Sequence, residues 1–224
     1  MTVRAADAIP DLPNIPGGSL AALMERYPDP APYVGAETPE EAAERKRLAI
    51  AAWEARVPVE FRQASYADLG ADQEPHIVSR WLDKGGKTLV IRSSAKGNGK
   101  SHAAYAVGND AVRVREVDTV GWSVLDFNDA IRPDGDDVAY EVAKRASLLI
   151  LDDLGGERLT EWTAERLLGV IDARCRDRKR TVVTTNLTGE ELVARYSDRI
   201  VDRLTDGMWL ATFTGPSRRK PLPF

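Results

Sequence analysis

Ile91-Arg92-Ser93-Ser94-Ala95-Lys96-Gly97-Asn98-Gly99-Lys100-Ser101-His102 decides how this chain is read. Just upstream, Thr88-Leu89-Val90-Ile91 is short, apolar and mostly β-branched, as a buried parallel strand is, and downstream Ala103-Ala104-Tyr105-Ala106-Val107 favours helix. The stretch is strand, loop, helix. Gly97 and Gly99 let the backbone turn its N–H groups inward, where they and the positive end of the following helix can hold phosphate oxygens. Lys100 is placed to reach the β and γ phosphates of a nucleotide, and Ser101 to put its hydroxyl on Mg²⁺. Gly97, Asn98, Gly99, Lys100, Ser101 and His102 are thus the candidate nucleotide cradle. The usual spacing, G-x-x-x-x-G-K-[ST], has glycine where this chain has Ser94, a residue expected to resist positive φ by about 1 kcal/mol. The competing reading of the loop alone is a Gly-rich turn before a surface lysine.

A second stretch bears on that choice. Ser147-Leu148-Leu149-Ile150-Leu151-Asp152-Asp153-Leu154 is a continuous apolar run ending in two carboxylates, the pattern of a buried strand whose carboxyl end faces a site. In a nucleotide-binding sheet Asp152 would hold Mg²⁺ through water and Asp153 would orient or deprotonate the attacking water. A third run, Thr181-Val182-Val183-Thr184-Thr185-Asn186, is β-branched and ends in a carboxamide able to donate to and accept from a water near the γ phosphate. Taken alone, Asn186 could equally be a turn residue.

Composition sets the outer bounds. The 224 residues fit one domain with an appendage, and 43% hydrophobic content supports a core. With a net charge of −4, contact with nucleic acid has to come from a local basic patch. One cysteine, Cys175, leaves no internal disulfide, and two histidines leave few ligands for a zinc site. Met1–Leu20 has prolines and acids where a leader needs a basic start and an apolar run, and no stretch is long and apolar enough for a bilayer, so a cytoplasmic location and no membrane are expected.

Residues 1–16 read as an arm, and Ser19–Tyr27 as a short helix stopped by prolines. Thr38-Pro39-Glu40-Glu41 is an N-terminal cap for a helix running to about Arg56, with Leu48, Ala49, Ala52 and Trp53 on one face, either packed on the main domain or free for a partner helix. Residues 1–56 form the helical N-terminal segment and 57–224 the main domain. Within it, Val112–Val117 is expected as a strand and Val120–Ile131 as a helix. Arg132–Asp137 reads as an exposed turn whose adjacent acids are a solvated loop more readily than a metal site. Trp162–Arg178 is an amphipathic helix with an inner stripe of Ala164, Leu168, Ile171 and Cys175. Thr188-Gly189-Glu190-Glu191 caps another helix, Arg199 and Arg203 project from the same side of a further one, and Met208–Phe213 is a last strand. The arginines are either salt-bridged to Asp198 and Asp202 or offered to ATP in a neighbouring subunit.

This combination resembles the AAA+ ATPases, specifically the DnaC-type replicative helicase loaders and their IstB-like transposition relatives, over about Val57–Arg219. The likeness is carried by Val57-Pro58 with Phe61-Arg62, by the loop Gly97–His102, by Leu151-Asp152-Asp153-Leu154-Gly155, by Thr184-Thr185-Asn186-Leu187 and by Arg199–Leu204. It implies an α/β P-loop NTPase fold of AAA+ type: a parallel sheet flanked by helices, with a small helical N-terminal extension and the Asn186 strand between the other two motif strands. It also implies ATP and Mg²⁺ at Lys100, Ser101, Asp152 and Asp153, a sensing role for Asn186, and an arginine finger at Arg203 or Arg199. Gly215-Pro216-Ser217-Arg218-Arg219 resembles the family's closing motif, with Arg219 the preferred second sensor and Arg218 the alternative. The implied function is loading of a replicative DNA helicase onto single-stranded DNA by a self-associating, weak Mg-dependent ATPase. The Ser94 and Asp153 departures point to slow hydrolysis. Trp122 and Phe127 are candidate DNA-contacting aromatics, or core residues. Rival readings are a transposition helper ATPase, a P-loop kinase acting on a small metabolite, and an adaptor that binds nucleotide without hydrolysing it.

Overall fold

The computed structural model describes residues 37–132 and 137–219. In chain order these form α1 (Pro39–Arg56), three single 3-10 turns (Val59–Phe61, Tyr66–Asp68, Ala71–Gln73), α2 (Pro75–Lys84), β1 (Thr88–Arg92), α3 (Lys100–Arg113), β2 (Thr119–Ser123), α4 (Val124–Ala130) and α5 (Val138–Arg145). They continue with β3 (Leu148–Leu154), α6 (Glu161–Arg176), β4 (Arg180–Thr185), α7 (Gly189–Tyr196), α8 (Asp198–Thr205) and β5 (Met208–Thr212). Every strand pair is parallel and the order is β2-β3-β4-β1-β5, so β4 lies between β1 and β3 as expected.

The two faces of the sheet explain the apolar runs. Leu148 and Ile150 of β3, Leu89 and Ile91 of β1 and Val182 of β4 pack under α2 and α3. Leu149, Leu151 and Val183 point the other way, under α4 to α8. A strand covered on both faces has no polar side, which is why β3 reads as unbroken hydrophobics. The loop motif, the Asp152 strand, the Asn186 strand and the Thr188 cap all fall where the sequence placed them, and the fold class is the one expected.

Four expectations need correction. Val112–Val117 is not a strand: Val112 is buried on the inner face of α3 beside Val107 and Ala111, and the strand begins two residues past Val117, at Thr119. Helix packing overrides the β-branched propensity there. Val120–Ile131 divides into β2 and α4 because Ser123, itself the last strand residue, accepts the Asp126 N–H at 3.0 Å and caps the helix. On α6 the buried stripe is Thr163, Leu167, Val170, Ile171, Ala173 and Arg174; of the expected set only Ile171 is fully buried. On α1 Trp53 is buried but Leu48 is 58% exposed, so the face that packs is Trp53 with partly buried Ile50.

Phe127 is fully buried in the core, and Trp122 packs beside it with ring centroids 5.7 Å apart, which removes Phe127 as a DNA contact. Thr38 and Glu41 cap each other at the start of α1 as expected, the Glu41 N–H reaching Thr38 Oγ1 at 3.2 Å. The arm at 1–16, the Ser19–Tyr27 helix and most of the Arg132–Asp137 turn lie outside the described residues. Asp137, which is described, pairs with Arg166.

Candidate functional site

Side-chain alternation along β3 builds the site. Continuing the two-residue period from Leu148 and Ile150 brings Asp152 to the α3 face at the carboxyl end of the strand. There Thr184 Oγ1, on the same face of β4, donates to Asp152 Oδ1 at 2.6 Å, and the Ser101 hydroxyl at the start of α3 bonds the same carboxylate. Burial pushes the Asp152 carboxyl above its usual range, while these two hydrogen bonds and Lys100 pull it back.

Asp153 does not continue the alternation. Its φ is +61° and the pairing with β4 slips between Leu151 and Leu154, which turns its side chain out to an exposed position. Its N–H donates to Thr184 Oγ1 at 2.8 Å, so that one hydroxyl ties both acids to β4. Asn186 Nδ2 donates to Asp153 Oδ1 at 3.2 Å, and Asn186 Oδ1 accepts from Lys100 Nζ at 2.7 Å. Lys100, Asn186 and Asp153 therefore form one continuous chain of contacts across three strand ends.

Lys100 is 8% exposed, and the other partner of its ammonium is the Ala95 carbonyl at 3.2 Å, a neutral oxygen. Burial lowers its pKa, the nearby Asp153 and Asp152 carboxylates counter this, and the Arg219 charge lowers it further. A desolvated cation whose direct partners are neutral oxygens suits an incoming anion. The loop geometry fits as well: Gly97 and Gly99 take the left-handed turns, φ +74° and +96°. Ser94 is not among the positive-φ residues, so the missing glycine brings none of the strain the sequence suggested. For a divalent cation the available donors are Ser101 and Asp152. No group of three or more His, Cys, Asp or Glu suited to a metal exists among the described residues, so water would fill the remaining positions.

Two cradle residues face away from this chemistry. The Asn98 side chain is fully buried, donating to Ser93 Oγ at 2.6 Å, and supports the loop from behind. His102 lies 3.0 Å from Asp68 and edge-on to Phe61, engaged with the segment before the sheet.

Sequence reasoning missed Gly70–Glu74. Gln73 is 2% exposed; its Nε2 donates to the Asn98 carbonyl at 2.7 Å and its Oε1 accepts the Gly70 N–H at 2.8 Å. Asp72 pairs with Arg218 at 2.7 Å. Nothing local marks a glutamine 25 residues before the loop as its support; only the fold joins them. Thr184 could have been found, because strand parity with Val182 puts it beside Asp152.

Arg199 and Arg203 both reach Asp172 of α6, at 2.6 and 2.9 Å, and Arg203 also reaches Asp202 at 2.9 Å. The ion-pairing expected with Asp198 and Asp202 is thus shared mainly with Asp172. Neither arginine is bonded to the Lys100–Asn186–Asp153 chain. Of the closing arginines, Arg218 is taken by Asp72, whereas the Arg219 stem lies against Gly97.

A family model described as "IstB-like ATP binding protein" matches residues 59–220. "Uncharacterized protein YdaV" of Escherichia coli (strain K12) is 29% identical over 133 residues, 56% of this chain, and the chain spans about half, 53%, of that relative's length. Among solved structures, DnaI superposes with a TM-score of 0.63 at 22% identity, covering 73% of this chain and 94% of that one. The DnaC helicase loader gives 0.61 at 20% identity, covering 70% and 100%. At such identities these two likenesses concern the fold. No helix among the described residues is long and apolar enough to cross a membrane.

Proposed function

The chain belongs to the IstB-like ATP-binding protein family, and from that premise we propose that it is a self-associating ATPase that loads a replicative ring helicase onto single-stranded DNA. The observation that carries the ATPase reading is the contact chain Lys100–Asn186–Asp153 beside the buried Asp152. The loader reading is favoured by the likeness in fold to DnaI and the DnaC helicase loader. The family match itself favours a second reading, a transposition helper that marks DNA for a transposase.

In this reading the N–H groups around Gly97 and Gly99 hold the β phosphate and Lys100 holds the γ phosphate, exchanging Asn186 for phosphate oxygen. Ser101 and Asp152 would hold Mg²⁺, which would supply positive charge to the phosphates. Asn186, once released, orients the attacking water together with Asp153, which accepts its proton. Asp153 is one methylene shorter than the glutamate usual at such sites, and its backbone is held in the left-handed region by β4. That limits its reach and makes hydrolysis slow.

Arg203 or Arg199 supplies the positive charge to ATP in the next subunit, so assembly and nucleotide state are linked. Arg219 senses the phosphates within its own subunit. Residues 1–56 dock the partner and 57–224 form the ATPase domain.

The test is to mix the protein with a replicative helicase, ATP and single-stranded DNA and look for a stoichiometric complex that depends on Lys100. Capture of a transposase in place of the helicase would establish the second reading. Full partner activity in a Lys100→Ala variant would indicate a non-hydrolysing adaptor. A phosphorylated metabolite, with no effect of changing Arg199 or Arg203, would indicate a kinase.

A further inference from the structure

Three glycines mark a seam where the segment after β5 lies on the phosphate loop. A Cβ on Gly215 would fall 1.6 Å from Asp72 Oδ2, one on Gly70 2.5 Å from an Arg218 nitrogen, and one on Gly97 2.6 Å from Ser217 Oγ. A side chain at any of the three would displace the neighbour it meets. Two main-chain hydrogen bonds close the seam: Thr214 N–H to the Asp72 carbonyl at 3.1 Å, and Arg218 N–H to the Gly97 carbonyl at 2.8 Å. Between them sits the Asp72–Arg218 ion pair at 2.7 Å.

We propose that Asp72 and Arg218 are positioning residues whose ion pair fastens this closing segment to the turn that supports the phosphate loop through Gln73, and thereby fixes Arg219 over the loop to distinguish ATP from ADP. The pair's side chains are 32% and 44% exposed, too open to add much stability, so its consequence is where it holds the chain. Because the Gly97 carbonyl accepts from the very residue whose side chain Asp72 holds, a shift of the loop and a shift of the closing segment are one movement. With its guanidinium on Asp72, Arg218 is committed to the clasp. Arg219, one residue on, lies with its stem against Gly97 and its charge near Lys100. The proposal rests on the reading of this loop as the nucleotide site.

The experiment is titration of the full chain with fluorescent ATP and ADP analogues, with a thermal melt of each variant. Asp72→Asn and Arg218→Gln should each weaken ATP binding about tenfold and ADP binding less than about twofold, the size of one charge-assisted contact to the terminal phosphate. Arg218→Lys keeps a single-point ion pair and should bind nearly as the parent does. Arg219→Ala should show the same selective loss, and adding Asp72→Asn to it should weaken binding no further. ATP affinity unchanged in Asp72→Asn while Arg219→Ala is weakened would overturn the clasp alone. Equal losses for ATP and ADP, or additive losses in the double variant, would overturn it too, since a plain loop support behaves that way. Lys100→Ala binding ATP like the parent would overturn the nucleotide site and the clasp together.

Discussion

The two ends of the sheet bury a cation each, and they do so in opposite ways. At the carboxyl ends, Lys100 is buried, and its ammonium bonds Asn186 and the Ala95 carbonyl. At the amino ends, Arg174 is 1% exposed and gives its donors to Thr181 Oγ1 at 3.0 Å, to the Ala143 and Ala146 carbonyls at 2.6 and 2.9 Å, and to the Arg180 carbonyl. Burial lowers its pKa to about 10, with Asp118 opposing. One cation spends its donors on three carbonyls and a strand threonine inside the core; the other holds, besides one loop carbonyl, a side-chain amide that can let go. Burial of a charge therefore does not mark a functional site. What separates site from staple is whether the charge's partners are exchangeable.

The largest effect expected from this contrast is at Arg174. Arg174→Met removes four hydrogen bonds where the end of α5 meets β4, and should cost about 3–5 kcal/mol by urea denaturation. ATP affinity of the folded fraction should be unchanged. A loss below about 1 kcal/mol would break the comparison, because Arg174 would then be no more structural than Lys100. Lys100→Met should behave in reverse, losing about 100-fold or more in ATP affinity, roughly 3 kcal/mol, by calorimetric titration. Its folding stability should hold or rise, since a partly desolvated ammonium has been removed.

How well each end could be read from sequence follows the same division. The nucleotide end is legible because its chemistry is local: Gly97-Asn98-Gly99-Lys100-Ser101 and Leu151-Asp152-Asp153 each carry their meaning within a few residues, and strand parity aims Asp152. In sequence, Arg174 is one more charge on an amphipathic helix, followed by Arg176, Arg178, Lys179 and Arg180. Its burial is decided by α5 and β4, distant pieces that no helical periodicity contains. Gln73 and Asp72 were hidden for the same reason. The Val112–Val117 error runs the other way: local β-branching was legible but lost to the packing of α3. The motif stretches fell on the strands and turns expected of them, and the long-range supports were not visible.

A subtler test concerns the carboxyl end alone. Burial raises the Asp152 pKa above its usual 3.8, so protonation favours the folded state. That contribution is fully present below the usual value and is lost as pH rises through the raised one. At neutral pH the nucleotide-free protein therefore carries the cost of a buried charge, and Asp152→Asn should raise the urea midpoint there, by less than Arg174→Met lowers it. The gain should shrink as the pH is brought down toward 4. Addition of Mg-ATP should reverse the order of the two proteins, because only the carboxylate offers a full charge to the cation. A gain that did not depend on pH would mean that packing, not ionisation, sets the strain at this end.

The smallest effect on folding should come from the charges that lie at neither end. Arg199 is 63% exposed and shares Asp172 with Arg203, which is 42% exposed. Water competes for both, so Arg199→Ala should move the melting temperature by less than about 2 °C. If turnover per subunit depends on protein concentration and is lost in Arg203→Ala at unchanged melting temperature, the exchangeable-partner rule extends to the subunit surface. Asp172 would then be a holding partner that gives up its arginine to phosphate, as Asn186 gives up Lys100. A large fall in melting temperature for either arginine would place them with Arg174 as staples and remove them from the chemistry.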